Sequence, residues 1–293
     1  MRRKSIHLLL IMLALFPASA IAATPVQLEH QGLLLNANWQ ESAEPGSGPL
    51  FLIVHGTWAH GGMEIIAGLQ DSLAANGYDS LAITLSLGVS DRQGFMSCDT
   101  VIKANHADAA AEINRWVEFA KTLSDHIVLV GHSRGGNQVM LYQQQFQAPE
   151  VERLVLIAPM TWNAAESAAG YEAQVGRPLA DVMAQAQAQA DPKAIIKAGV
   201  VYCPTAEVLA SSFLSYYDAE PNRNTPALLA TVRRPVLVFE GTEDPLANGF
   251  KSQVALFEKN QQVTVQWIDG ADHFFRDLYT DELVDSMLEW LQR

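Results

Sequence analysis

The chain has 293 residues, of which 49% are hydrophobic and 17% charged, with a formal net charge of −13. This length and composition are typical of one large globular α/β domain with a buried core. No basic cluster occurs beyond the extreme N-terminus, so the acidic chain is not expected to bind nucleic acid.

The first 22 residues have the three parts of a secretory signal peptide. Met1–Lys4 carries positive charge, residues 6–16 are apolar, and Ala18-Ser-Ala20 and Ala20-Ile-Ala22 both fit the cleavage pattern. The apolar stretch is shorter than the ~20 residues that a bilayer span needs. We therefore expect a secreted or periplasmic protein without stable membrane insertion after cleavage, formed by residues 23–293. An uncleaved membrane anchor is the alternative.

The first half of the mature chain alternates apolar strands with amphipathic helices. This rhythm indicates a mostly parallel sheet covered by helices on both faces. The predicted elements are an edge hairpin over 26–39, strands over 50–54, 78–85, 127–130 and 151–158, and helices over 63–75, 101–123 and 137–146.

From about residue 160 to residue 232 the alternation stops. We interpret this stretch as a small helical cap insertion, because unstructured connections of such length are rare. One long surface connection is the alternative. The predicted helical pieces cover 179–190, 193–198 and 206–217, and the sheet then resumes with strands over 234–239 and 262–268 and helices over 249–259 and 280–292.

The chain has two cysteines, Cys98 and Cys203. Export to an oxidising compartment would favour a disulfide between them, which would stabilise the fold by up to ~4–5 kcal/mol in the chain-entropy model. Two buried free thiols are the alternative.

The motif with the clearest chemistry lies between the strand over 127–130 and the helix after it. It reads Gly131-His-Ser133-Arg-Gly135, a Gly-x-Ser-x-Gly pattern on a tight strand–turn–helix connection. The glycines allow strand and helix to approach closely, and the turn presents the Ser133 hydroxyl at a helix N-terminus. The pattern predicts Ser133 as a nucleophile, although an ordinary Gly/Ser turn would read the same.

A serine nucleophile needs a base, and the base needs an anion to orient it. Asp244 and His273 each follow a strand, at the edge where the carboxyl ends of parallel strands meet. We therefore predict His273 as the general base and Asp244 as its acid. The weaker candidates are Glu243 and Asp272 for the acid, and His132, His126, His106 and His55 for the base.

The negative oxygen that forms when serine attacks a carbonyl carbon needs N–H donors. We predict the backbone N–H groups of Arg134 and Thr57, with Trp58 as the weaker choice for the second donor. His60 in the same loop has no companion ligands, so no metal site is predicted.

Ser133 in Gly-His-Ser-Arg-Gly, then Asp244, then His273, with His55-Gly56 upstream, resembles the α/β-hydrolase superfamily. The resemblance runs from about residue 50 to the C-terminus, except for the insertion. It implies an α/β-hydrolase fold with a mostly parallel eight-stranded sheet, helices on both faces, a variable cap and no cofactor. The loop His-Gly-Thr-Trp departs from the His-Gly-Gly-Gly of some esterases, which makes that esterase branch a poorer fit.

The leading hypothesis is an exported serine hydrolase that cleaves a carboxylic ester or related acyl bond of a small-molecule or polymer substrate. The same machinery serves thioesterases, peptidases, lactonases, acyltransferases and perhydrolases, and a non-catalytic binding protein is a further alternative. The sequence leaves the acyl preference and the oligomeric state open. Four cap aromatics either line an acyl pocket or pack on the sheet, namely Tyr202, Phe213, Tyr216 and Tyr217.

Overall fold

A mostly parallel sheet organises the residues that the computed structural model describes, which are 23–42, 48–219 and 221–293. The predicted signal peptide lies outside the described residues. The strands are β1 (Thr24–His30), β2 (Leu33–Gln40), β3 (Leu50–Val54), β4 (Ser80–Thr84), β5 (Ile127–His132), β6 (Val151–Ile157), β7 (Ile195–Val200), β8 (Cys203–Leu209), β9 (Val236–Gly241) and β10 (Val263–Ile268).

The main sheet has the order β1-β2-β4-β3-β5-β6-β9-β10. Only the pairs β1–β2 and β2–β4 are antiparallel, so the predicted edge hairpin is confirmed. The central strands β3 and β5 are buried along their whole length, as their continuous apolar runs predict. The predicted parallel sheet with helices on both faces is therefore confirmed.

Helices cover the two faces of this sheet with separate apolar clusters. Phe51 and Ile53 of β3 share one cluster with Ile66, whereas Leu52 shares the opposite cluster with Trp116, as the two-residue period of a strand requires. No helix of the described ranges is long and apolar enough to cross a bilayer. The helices are α1 (Glu64–Ala75), α2 (Ala109–Ala120), α3 (Arg134–Gln145), α4 (Ala164–Val175), α5 (Leu179–Gln187), α6 (Ala210–Tyr217), α7 (Thr225–Leu229), α8 (Ala247–Lys251) and α9 (Leu278–Leu291).

The segment between β6 and β9, called the insert and spanning residues 160–232, leaves the main sheet. It contains α4 to α7, but it also contains the antiparallel pair β7–β8. The predicted helix over 193–198 is therefore wrong, and the helix predicted over 206–217 begins only at Ala210. The cap expected to be helical is a mixture of helices and one hairpin.

Contacts distant in sequence explain this difference. Ile102 forms an isolated bridge with Val208, and its N–H donates to the carbonyl oxygen of Glu207 at 2.8 Å. The same pairing holds the chain extended before α2, so the helix predicted from residue 101 begins at Ala109 after a 3₁₀ turn over His106–Asp108. Local propensity predicted a helix both in the β7–β8 segment and in the residues just before α2, and strand pairing between distant residues overrode that propensity.

A disulfide between Cys98 and Cys203 joins the loop after β4 to the β7–β8 hairpin. The bond spans 105 residues of sequence, and it excludes the alternative of two free thiols. Beside it, the Tyr202 hydroxyl donates to the carbonyl oxygen of Met96 at 2.6 Å. The insert is therefore fixed to a loop of the sheet domain by both covalent and polar contacts.

Candidate active site

Ser133 is the single residue between β5 and α3, and its backbone is strained. Its φ of 54° and ψ of −121° lie in a region that non-glycine residues rarely adopt. Surrounding hydrogen bonds hold this conformation, because its N–H donates to Ile157 at 2.8 Å and its carbonyl accepts from Met160 at 2.9 Å. The turn therefore lifts the Ser133 side chain clear of the sheet edge.

The two motif glycines are required by close backbone approach. A Cβ atom at Gly131 would lie 2.5 Å from the carbonyl oxygen of Gly135. A Cβ atom at Gly135 would collide with the carbonyl oxygen of His55, in the loop after β3. Any side chain at either position would displace backbone, so the turn and this neighbouring loop are packed against each other.

The structure brings Ser133, His273 and Asp244 together in one chain of contacts. His273 Nε2 lies 3.0 Å from Ser133 Oγ, and His273 Nδ1 lies 2.6 Å from Asp244 Oδ2. His273 comes from the loop after β10 and Asp244 from the loop after β9, so three strand ends supply the three side chains. Both distances are within hydrogen-bond range.

The charge state of Asp244 sets the tautomer of His273. Asp244 is buried, which alone would raise its pKa, but hydrogen bonds from His273 and from the Leu246 N–H outweigh burial and lower it. An ionised carboxylate only accepts hydrogen bonds, so His273 Nδ1 carries the proton that faces Asp244. His273 Nε2 is then free to accept the Ser133 hydroxyl proton.

The rival acids lie elsewhere. Glu243 is exposed at the protein surface. Asp272 caps its own loop, since Oδ1 accepts the Phe274 N–H at 2.9 Å and Oδ2 pairs with Arg276 at 2.5 Å.

The rival histidines also have other partners. His126 is exposed and contacts Glu152 at 2.6 Å. His55 is buried, with Nδ1 bonded to its neighbour's carbonyl oxygen and Nε2 accepting the Leu85 N–H, and burial lowers its pKa to about 3. His106 is likewise buried and bonds Asn137 at 2.7 Å.

His132 contributes to the site, although its ring does not contact the Ser133 hydroxyl. Its Nε2 donates to the backbone carbonyl oxygen of His273 at 2.9 Å, and burial lowers its pKa to about 4, so it is neutral. Its ring lies 5.1 Å from the His273 ring. The position of His132 next to the nucleophile in sequence carries no signal for this backbone contact, so it was predicted only as a weaker candidate for the base.

Thr57 and Arg134 border the same cleft as Ser133. The hydrogen bonds of the described residues leave the backbone N–H of each without a protein acceptor. The loop that carries Thr57 turns sharply, with φ of 50° at Trp58, and the Trp58 indole N–H donates to the Tyr216 hydroxyl at 3.0 Å. The insert thus contacts the loop that holds one predicted donor.

The cleft has a volume of about 550 Å³ and lies between the strand ends and the insert. Tyr216 and Tyr217 are both in its wall, whereas the side chain of Phe213 is fully buried in the core. Tyr202, the fourth cap aromatic, packs edge-on against Trp58 with ring centroids 5.2 Å apart. The predicted aromatic lining therefore comes from two of the four residues.

Glu240, at the end of β9, is a cleft residue that sequence analysis missed. It is buried, and its Oε1 has no hydrogen-bond partner among the described residues. Burial, followed by the charge of Asp244, raises its pKa to about 9, so it is a neutral acid near pH 7. The available signal was one carboxylate inside the otherwise apolar run of β9.

Comparison with known proteins gives one family and several similar structures. The model of the alpha/beta hydrolase family matches residues 51–285. A search of curated protein sequences gives no match to this chain.

The similar solved structures cover nearly all of the chain. Est1E from Butyrivibrio proteoclasticus is 21% identical with a TM-score of 0.61, over 93% of this chain and 100% of that one. A soluble variant of the Saccharomyces cerevisiae monoglyceride lipase is 15% identical with a TM-score of 0.63, over 94% and 97%. A thioesterase domain from the curacin biosynthetic pathway is 17% identical with a TM-score of 0.57, over 92% and 100%. These matches confirm the predicted fold class.

Proposed function

The chain belongs to the alpha/beta hydrolase family, and from that premise we propose that it is an exported serine hydrolase of carboxylic esters or related acyl bonds. The observation that carries the proposal is the contact chain in which His273 lies 3.0 Å from Ser133 Oγ and 2.6 Å from Asp244. A hydroxyl, a neutral imidazole and a carboxylate in this order can generate a nucleophile at neutral pH.

The proposed reaction begins with attack of Ser133 Oγ on the acyl carbon while His273 Nε2 takes the hydroxyl proton. The backbone N–H groups of Thr57 and Arg134 stabilise the oxyanion, and Asp244 stabilises the imidazolium. His273 then returns the proton to the leaving alcohol, which departs as the acyl-enzyme forms. Water, deprotonated by the same imidazole, attacks the acyl carbon and releases the acid and Ser133.

Ester substrates are favoured by the similar structures. Est1E has been solved with bound ferulic acid, and the yeast relative is a monoglyceride lipase in complex with a substrate analogue. Thioester and amide bonds, lactones and acyl transfer to alcohols or peroxide remain compatible with the same steps. Export is proposed from residues 1–22, and the Cys98–Cys203 disulfide is compatible with an oxidising compartment.

The proposal is tested with the mature chain, a fluorophosphonate probe, and esters, thioesters and amides of graded acyl length. We expect the probe to label wild type and not Ser133→Ala, and turnover to be lost with the label. A matched control is Ser167→Ala, which alters another serine that borders the cleft. Undiminished ester turnover in Ser133→Ala would contradict the assignment, and a folded wild type that neither labels nor turns over would favour a binding protein.

A further inference from the structure

The side chain of Arg134 places a positive charge beside the nucleophile, and the contacts that it makes with the described residues are all with neutral groups. Its Nε donates to Thr57 Oγ1 at 3.2 Å, and its Nη1 donates to His106 Nδ1 at 3.4 Å. Its Cζ lies 5.5 Å from the centre of the Tyr216 ring. These contacts orient the guanidinium without neutralising it.

His106 is neutral in this arrangement. Burial, followed by the charge of Arg134, lowers its pKa to about 3. The Asn137 amide nitrogen donates elsewhere, to Asn222 and Thr225, so Asn137 Oδ1 accepts from His106 Nε2. His106 Nδ1 therefore holds a lone pair for Arg134 and carries no charge.

No carboxylate of the described residues forms an ion pair with Arg134. Burial lowers the Arg134 pKa, and the opposing influences come from Tyr216 and Tyr217 alone. Arginine nevertheless remains protonated in proteins. A partly buried charge without a counter-charge is unfavourable, and binding an anion removes that penalty.

Arg134 lines the cleft, and the described acidic residues that line it too form no ion pair with the Arg134 guanidinium. Asp244 is bonded to His273, and Glu240 is protonated near pH 7. Glu166 also lines the cleft, and its side chain is exposed to solvent. Among the described acidic residues of the cleft wall, the ionised Asp244 is engaged by His273, Glu240 is neutral and Glu166 is exposed, so the Arg134 guanidinium has no counter-charge from them.

We propose that Arg134 binds a carboxylate carried by the substrate, so that the cleft selects esters whose acyl or alcohol part is anionic. The proposal rests on the proposed hydrolase function and names the substrate class of that site. Guanidinium and carboxylate match in geometry, and charge-assisted hydrogen bonds of this kind are stronger than neutral ones. Half-esters of dicarboxylic acids and acyl esters of hydroxy acids both present this chemistry.

The test compares kcat/KM for matched anionic and neutral esters. In the acyl arm, the p-nitrophenyl half-ester of adipic acid is compared with the neutral diester whose second carboxyl group is methylated. Release of p-nitrophenolate is followed for both. In the alcohol arm, 4-acetoxybenzoate is compared with its methyl ester. We expect the anionic ester to be preferred about tenfold or more in one arm, and that arm identifies which part of the substrate carries the carboxylate.

Variants at Arg134 distinguish the role of its side chain from that of its backbone N–H group, because the N–H group serves anionic and neutral esters alike. In Arg134→Gln the anionic-to-neutral ratio should fall to about one or below, and Arg134→Lys should keep part of the preference. Arg115→Gln, which alters an arginine on α2 whose Nε donates to the backbone carbonyl oxygen of Glu29, should leave the ratio unchanged. If Arg134→Gln fails to fold, the wild-type ratio and the lysine variant decide.

The two proposals can fail separately. Wild type that cleaves the neutral esters but shows no anionic preference in either arm would overturn the carboxylate proposal and leave the hydrolase proposal intact. A preference that persists in Arg134→Gln would move the anion site to another residue and overturn the role of Arg134. Absence of turnover together with absence of Ser133 labelling would overturn both.

Discussion

His132 Nε2 donates to the backbone carbonyl of His273, the residue whose imidazole contacts Ser133 Oγ. One histidine thus fixes the main chain of the other. Because His132 adjoins Ser133 in sequence, the contact ties the loop after β10 to the turn that carries the proposed nucleophile. The spacing between Ser133 and His273 then depends on a neutral side chain that takes no part in proton transfer.

Replacing His132 should therefore lower turnover more than substrate binding. We expect His132→Phe to reduce kcat by about 10- to 100-fold with a smaller change in KM, because sub-ångström misplacement of a base is costly. His132→Gln, which keeps an N–H donor, should recover part of the loss. Steady-state kinetics on one neutral ester measure both. Equal kcat in wild type and His132→Phe would show that the loop is held by other contacts.

Asp244 and Asp272 offer a matched pair of carboxylates in adjacent loops. Asp244→Asn should lower kcat/KM by about 10³- to 10⁴-fold, because an amide can present its N–H group to His273 Nδ1 and so stabilise the wrong tautomer. Asp272→Asn should change it less than about threefold, because that side chain caps its own loop. Probe-labelling rates and ester kinetics give the comparison. Similar losses in both variants would contradict the assignment of the acid.

Glu240 should make stability depend on pH in a defined direction. Its pKa is raised to about 9 from the ordinary value of 4.5, so the folded protein binds this proton more tightly than the unfolded chain. The stabilisation is fully present below pH 4.5 and is lost as pH rises towards 9, at up to about 1.4 kcal/mol per pH unit. Glu240→Gln keeps a neutral side chain and should remove this dependence.

Thermal unfolding at pH 5, 7 and 9 tests the Glu240 prediction. The Tm of Glu240→Gln should exceed that of wild type by an amount that grows with pH and reaches several degrees. The control is Glu243→Gln, which alters an exposed glutamate three residues further on, in the loop after β9. Parallel pH profiles for wild type and Glu240→Gln would mean that the Glu240 carboxyl ionises normally in the folded protein.

Removing the disulfide should lower stability and disturb the loop that carries Thr57. The bond spans 105 residues, and the double variant Cys98→Ser/Cys203→Ser should lose about 2–4 kcal/mol of unfolding free energy. Activity should fall as well, because Trp58 contacts both Tyr202 and Tyr216 of the insert. Denaturant unfolding and ester kinetics, with and without reductant, measure both effects. Reductant should affect wild type and leave the double variant unchanged.

Much of the sheet could be predicted because its central strands are short apolar runs between turn residues. β3 and β5 are buried on both faces, so packing favoured apolar side chains along nearly their whole length. The meeting of Ser133, Asp244 and His273 could be anticipated for a related reason, since parallel strands end at one edge. Their catalytic roles remain predictions.

Other features depend on contacts that local sequence does not carry. β8 is held by its partner strand, by Ile102 and by the disulfide, although its residues 206–209 were predicted to begin a helix. The neutral state of Glu240 and the unpaired charge of Arg134 arise from burial in the assembled cleft. A sequence pattern can predict which residues lie at the end of a strand. It does not predict the burial and the neighbouring charges that those residues have in the folded protein.

The cross-link between Cys98 and Cys203 limits how this enzyme can admit its substrate. With the hairpin anchored at its tip, the insert cannot swing away as a rigid lid while the bond is intact. Of the helices in the insert, α4 borders the cleft and buries only Tyr171 of its own side chains. We therefore expect the oxidised protein to exchange ligands through small displacements of α4, and its turnover to be independent of a large hinge motion.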